Sequence, residues 1–180
     1  MTEAGWAREV HDFWFGLPPK KHWQQDDEFD AEVAERFRNL WEEQARRPVA
    51  AFLGDPQQAL AAIILFDQFP RNMFRGHADS FATDHLALAI SNQALDRGYD
   101  EQLSKDERAF LLMPFEHSED REDQKRSVLL FTALGSELML GYAKKHRDVI
   151  ERFGRFPHRN ALLGRKPTAE EEAAGLVTPF

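Results

Sequence analysis

Apolar residues recur at three- and four-residue spacing along almost the whole chain, and nothing competes with that period. Trp6, Val10, Phe13 and Trp14 mark one face of a helix over residues 5–15, which Gly16-Leu17-Pro18-Pro19 ends. Phe29, Val33, Phe37, Leu40 and Trp41 mark a long amphipathic helix over residues 27–46, with Asp26 or Asp27 as its cap. β-branched residues are few and no Asn-Gly or Asp-Gly hairpin turn occurs. The period predicts an all-α fold, an antiparallel array of about seven to eight helices joined by short loops, as in a bundle or a helical-hairpin solenoid. No repeat near 34 residues is visible.

The stops and starts divide the rest. Asp55-Pro56 supplies a cap and a first-position proline for a third helix, and Pro70 should end it at about Phe69. Asp79-Ser80 caps a fourth that runs to Arg97 and stops at Gly98. Ser104 to Glu107 forms a capping box for a fifth, which Pro114 closes. Ser118 caps a sixth carrying Val128, Leu129, Phe131, Leu134, Leu138 and Met139, with Glu119 and Asp120 in its first turn. Gly141 breaks it, and further turns reach Phe153 before Gly154. Thr168 to Glu171 is a second capping box, for a short last helix.

No linker rich in Gly, Ser or Pro interrupts the 180 residues, so the expectation is one domain over 1–180, long enough to bury its own core. The chain has no cysteine, which removes disulfides and thiolate chemistry. No basic n-region precedes an apolar stretch at the N-terminus, and the longest apolar run, Ala59 to Phe66, falls far short of the ~20 residues that span a bilayer. The expected setting is the cytoplasm, without a membrane partner. The 31 acids and 23 Lys/Arg give −8, which argues against nucleic acid as a partner. Residues 144–166 depart from that balance: eight Lys/Arg stand against Asp148 and Glu151.

Three polar segments sit where helices end or begin. Asp67-Gln68-Phe69-Pro70-Arg71-Asn72-Met73-Phe74-Arg75-Gly76 follows the apolar run and carries far more polarity than a helix stop needs. The second is Pro114 to Asp120 and the third Arg155 to Arg165. Alternating helix direction would bring them to one side. Arg71, Arg75, Arg159 and Arg165 offer planar donors for carboxylate or phosphate. The plainer reading is that Asp67 and Glu116 pair with these arginines and fix the loops. Asn72 and Asn160 satisfy turns or hold arginines. Glu116-His117 is the expected acid/base pair, since a carboxylate beside an imidazole sets its charge or orientation. No His-Glu-x-x-His, EF-hand loop, Gly-x-Ser-x-Gly or Gly-rich phosphate loop is present, so no metal site and no cofactor is expected. Trp6, Trp14 and Trp41 read as core; Trp23, beside Lys20 and Lys21, is the one placed to face a ligand or partner. The first and third segments echo each other: an aromatic, Pro, Arg-Asn, apolar residues, then Arg and Gly.

Four stretches taken together resemble a known bacterial family. They are Phe13-Trp14-Phe15-Gly16; Phe66 to Asn72 with Phe74-Arg75-Gly76; Pro114 to Asp120 with Gln124; and Arg152 to Asn160 with Leu163-Gly164-Arg165. In this order they are similar to the family known as domain of unknown function 924. The resemblance implies an all-helical fold like that of tetratricopeptide-repeat proteins, and it implies no activity. Leu112-Met113 stands where relatives are expected to carry an aromatic.

The sequence thus points to a helical protein that binds a small anionic ligand. Arg71, Arg75 and Arg159 would hold the anion, Asp67, Asn72 and Asn160 would hold arginines and loops, and Glu116 and His117 would move any proton, as in metal-free hydrolase or lyase chemistry. The competing reading is a non-catalytic module that presents a helical face to a protein or peptide.

Overall fold

The structure is a computed structural model and describes residues 3–178. Among them there is no strand: α1 (Glu3–Phe15), α2 (Asp27–Gln44), α3 (Pro56–Ile63), α4 (Phe69–Met73), α5 (Asp84–Asp96), α6 (Lys105–His117), α7 (Arg121–Leu134), α8 (Glu137–Phe153) and α9 (Ala169–Ala174) follow one another. The chain divides into two compact units, Met1–Leu111 and Leu112–Phe180, the division falling inside α6. No helix among the described residues is long and apolar enough to cross a membrane.

In the first unit α1 packs on α3, α2 on α4 and α3 on α5. The α1 face predicted from spacing is inside: Trp6, Val10 and Trp14 are buried, as are Phe29, Val33, Phe37 and Leu40 of α2. Every residue from Ala59 to Phe66 is fully buried, which explains an apolar run with no polar face. Phe13, Phe37 and Phe69 form an aromatic cluster, with centroids 5.0 Å (Phe13–Phe37) and 4.6 Å (Phe37–Phe69) apart. The caps are as expected at Asp26, which accepts from the Phe29 amide at 3.1 Å, and at Asp55, which accepts from Gln58 at 2.8 Å. Ser104 and Glu107 form the reciprocal box that opens α6.

Pro70 does not end its helix. The backbone widens into a π-turn over Ile64–Gln68 and re-enters α-geometry as α4, with the proline in its first turn. The Phe66 carbonyl, four residues before the proline, accepts instead from the Thr83 hydroxyl at 2.7 Å. Pro114 likewise lies within α6, which continues to His117. There the Ser91 hydroxyl of α5 donates to the Leu111 carbonyl at 2.5 Å. The Thr83 hydroxyl thus replaces the backbone donor that Pro70 lacks. Thr83, not Asp79-Ser80, is the residue before α5; Ala78–Phe81 forms its own 3-10 turn.

In the second unit α7 and α8 pack as a hairpin. The break between them is at Gly135, whose φ of 70° is left-handed, and Gly141 lies inside α8. The predicted sixth helix is therefore two, and Leu138 and Met139 belong to the second. Asp120 rather than Ser118 caps α7, accepting from the Glu122 and Asp123 amides at 2.8 and 3.1 Å. Gly154 ends α8, and Thr168 opens α9 with both bonds of its capping box. Val149, Ile150 and Phe156 are buried together, with Phe153 and Val177 against them.

Candidate functional site

The first polar segment is built by the π-turn. The wider turn leaves Asp67 at its inner side, fully buried, where it accepts from the Gln68 amide at 2.5 Å. Arg71, one turn on, donates to the Asp67 carbonyl and lies 3.5 Å from its carboxylate. Its other partner is Asp84, the first residue of α5, gripped through both terminal nitrogens at 2.8 and 3.1 Å. Burial alone would loosen the proton of Arg71, but the charges of Asp84 and Asp67 outweigh it and hold the guanidinium more firmly charged than usual.

Asn72 and Arg75 share a third carboxylate. The Asn72 amide donates to Asp30 Oδ1 at 2.8 Å, and Arg75 chelates the same group through Nε at 2.5 Å and Nη2 at 2.9 Å. The hydrogen bond to Asp30 raises the Arg75 pKa despite partial burial. Beside this knot lies an open cavity of about 430 Å³, lined by Gln25, Asp27, Asp30, Ala31 and Ala34 on the α2 side and by Asn72 to Gly76 on the α4 side, Phe74 excepted.

The second and third segments meet within the C-terminal unit. Glu116 is buried and pairs with His146 of α8 at 2.8 Å; the expected partner, His117, instead has its ring 6.1 Å from that of His146. The backbone carbonyl of His117 accepts from Arg159 Nη2 at 3.1 Å, and the Arg159 guanidinium lies 4.5 Å from the Phe156 ring. Gln124, fully buried, donates to the Glu116 and Ser118 carbonyls, both at 2.7 Å, closing the end of α6. Glu119 takes Arg165 in a two-point grip at 2.6 and 2.9 Å, and the Phe156 amide at 2.7 Å. Burial opposes its charge, yet these donors bring its pKa below the usual carboxylate value. Asn160 donates to Glu171 at 3.2 Å and accepts from Arg165 at 3.0 Å. Glu171 is also chelated by Arg155, which, ahead of the bonds from Thr168 and Asn160, brings its pKa to about 2.

The echo between the two segments therefore has a physical content. In each, the asparagine donates to a carboxylate and the later arginine grips one: Asn72 and Arg75 share Asp30, whereas Asn160 donates to Glu171 and Arg165 chelates Glu119. The anion expected for the arginines is, for Arg71, Arg75 and Arg165, a carboxylate of the chain itself. Glu116 departs from the plainer expectation, since its partner is a histidine rather than an arginine. Within the basic stretch Arg147 pairs with Asp148, Arg152 with Glu170, Arg155 with Glu171 and Arg165 with Glu119. Trp23 is 59% exposed and stacks on Phe110, centroids 5.8 Å apart. Among the described residues no three His, Cys, Asp or Glu are grouped to hold a metal ion.

Five partners were not among the expected site residues: Asp30, Asp84, Glu119, His146 and Glu171. His146 carries a signal in its position, three residues after Ala143 and three before Val149 on the buried stripe of α8. Asp30 and Asp84 read as first-turn acids of their helices, a role that hides any second one.

The fold and these clusters define an all-helical protein whose helix ends are tied by buried carboxylate–arginine and carboxylate–histidine contacts. The chain belongs to the bacterial proteins of unknown function DUF924, whose family model matches residues 10–176. It is 43% identical to a protein of unknown function from Agrobacterium tumefaciens, ATU0120, whose structure superposes with a TM-score of 0.90 over 95% of this chain and 97% of that one. No curated protein matches it.

Proposed function

We propose that the chain binds a small molecule in the cavity between α2 and α4. One observation carries this: about 430 Å³ of open space borders the Asp30–Asn72–Arg75 knot. The volume falls within the range of small-molecule sites, and the lining pairs a few fixed polar groups with Ala31, Ala34 and Met73. Asp30 holds Asn72 and Arg75 in place before any ligand arrives, so little side-chain entropy remains to be lost on binding. Asn72 and Arg75 are two of the residues that the sequence assigns to a ligand. A cytoplasmic setting fits the cysteine-free composition.

The test is thermal unfolding of the full chain against small polar metabolites of both charges. A ligand at 100 times its Kd raises stability by about 2.7 kcal/mol. The shift should vanish in Ala34→Trp, which fills the cavity. A shift that survives this substitution in a folded variant contradicts the proposal. A second reading, proton transfer in the C-terminal unit, is favoured by the buried Glu116–His146 pair at 2.8 Å with His117 nearby. It requires turnover of some ester or carboxylate substrate that His146→Gln abolishes without loss of helicity.

A further inference from the structure

We infer that the cavity between α2 and α4 takes a small organic cation, an ammonium or guanidinium group on a short apolar body, and not the anion that its arginine suggests. This rests on the cavity being a binding site.

The charge of the lining is the first reason. Arg75 is its cation, against the carboxylates of Asp27 and Asp30. Arg75 is moreover already matched: Nε and Nη2 both lie on Asp30, at 2.5 and 2.9 Å. Asn72 spends its amide on Asp30 as well, at 2.8 Å. An incoming phosphate or carboxylate would compete with Asp30 for those donors and would lie beside the like charge of Asp27. The donors that make the site look anion-binding from sequence are the ones the fold has used.

What remains for a ligand is an acceptor. Among the described residues neither Gln25 nor Asp27 has a side-chain hydrogen bond, and both line the cavity. Asp27 is the first residue of α2, and the usual work of such an acid is done next to it: Asp26 caps the helix, and Glu28 and Asp30 share its first turn. The Asp27 carboxylate is exposed at the edge of the cavity, where its charge also acts on Arg75. Ala31 and Ala34, one turn apart on α2, and Met73 supply an apolar wall for a short methylene chain. A net charge of −8 also favours the approach of cations over anions.

The experiment is isothermal titration calorimetry of the full chain at fixed ionic strength with four probes: butylamine, 1,4-diaminobutane, inorganic phosphate and succinate. Asp27→Asn keeps the shape and removes the charge; Ala34→Trp, or Ala31→Trp where the first fails to fold, fills the space. Helicity by circular dichroism checks each variant. The inference expects the amines to bind, Asp27→Asn to weaken them about fivefold, and the tryptophan to abolish binding. Anions that bind and are blocked by the tryptophan, while amines do not bind, overturn the cationic ligand and leave the cavity standing. Amines that bind Asp27→Asn as tightly as the parent chain also overturn it. Binding by no probe, or binding unaffected by the tryptophan, overturns both the cavity and the inference.

Discussion

Arg71 reaches Asp84 with both terminal nitrogens, at 2.8 and 3.1 Å, and its Nη1 lies 3.5 Å from the fully buried Asp67 carboxylate. Two acids thus share one half-buried cation, and removing either partner strands a charge. Asp84→Asn should lower stability by about 2 kcal/mol in urea unfolding, since a charge-assisted two-point grip becomes a neutral contact beside a buried acid. An unchanged midpoint would show the grip to be idle. Carboxylates held by donors also set the response to acid. Hydrogen bonds from His11, Ser104 and Gln57 outweigh the burial that opposes the charge of Glu107 and bring its pKa to about 2; Arg155 does the same for Glu171. Such groups bind protons more readily unfolded than folded, so their stabilisation is full above the ordinary value of 4.5 and is lost as pH falls toward about 2. The urea midpoint should fall steadily through that window, and Glu107→Gln should flatten part of the fall. At this scale the sequence shows which arginines matter and not what they meet. Asp30 lies 42 residues from Asn72, and Glu119 lies 46 from Arg165, so no local pattern marks either pair.

Helices that absorb a proline need a substitute donor, and Thr83 is that substitute for α4. Its hydroxyl donates to the Phe66 carbonyl at 2.7 Å and accepts from the Trp41 indole at 3.0 Å. Thr83→Val keeps the shape and leaves a buried carbonyl and a part-buried indole N–H unpaired, which should cost about 2 kcal/mol in denaturant unfolding. Two glycines of the α7–α8 hairpin should respond with opposite sign. Gly135→Ala forces a side chain onto a φ of 70° and should lose about 1 kcal/mol. Gly141 lies inside α8 with nothing within 4 Å of an added Cβ, so Gly141→Ala should gain up to about 1 kcal/mol. Melting of the two variants checks both. Four of the caps are legible because they are local: Asp26, Asp55, Ser104 and Thr168 each bond within three residues, whereas Asp79-Ser80 and Ser118 yield to Thr83 and Asp120. Pro70, Pro114 and Gly141 do not stop their helices, for a related reason. Whether a proline or glycine stops a helix depends on distant donors such as Thr83, and on which of two nearby glycines takes positive φ.

Across the whole chain the helical period sufficed for the all-α class, because it is a property of every segment at once. The division between the units at Leu111 and Leu112 has no such mark: it falls inside α6, where apolar residues continue without a break in composition. The cavity was half legible, through Asn72 and Arg75; its other half, on α2, looked like an ordinary solvated helix start. That difference also reverses the ligand charge that the sequence suggests. Titrating the isotopically labelled full chain with 1,4-diaminobutane and following backbone amide shifts by NMR tests the central claim most directly. Binding in the cavity predicts saturable shifts concentrated at Gln25, Asp27, Ala31, Asn72, Arg75 and Gly76, lost in Ala34→Trp. Saturable shifts confined to residues 112–178, or no shifts with either this amine or an anion, would contradict it.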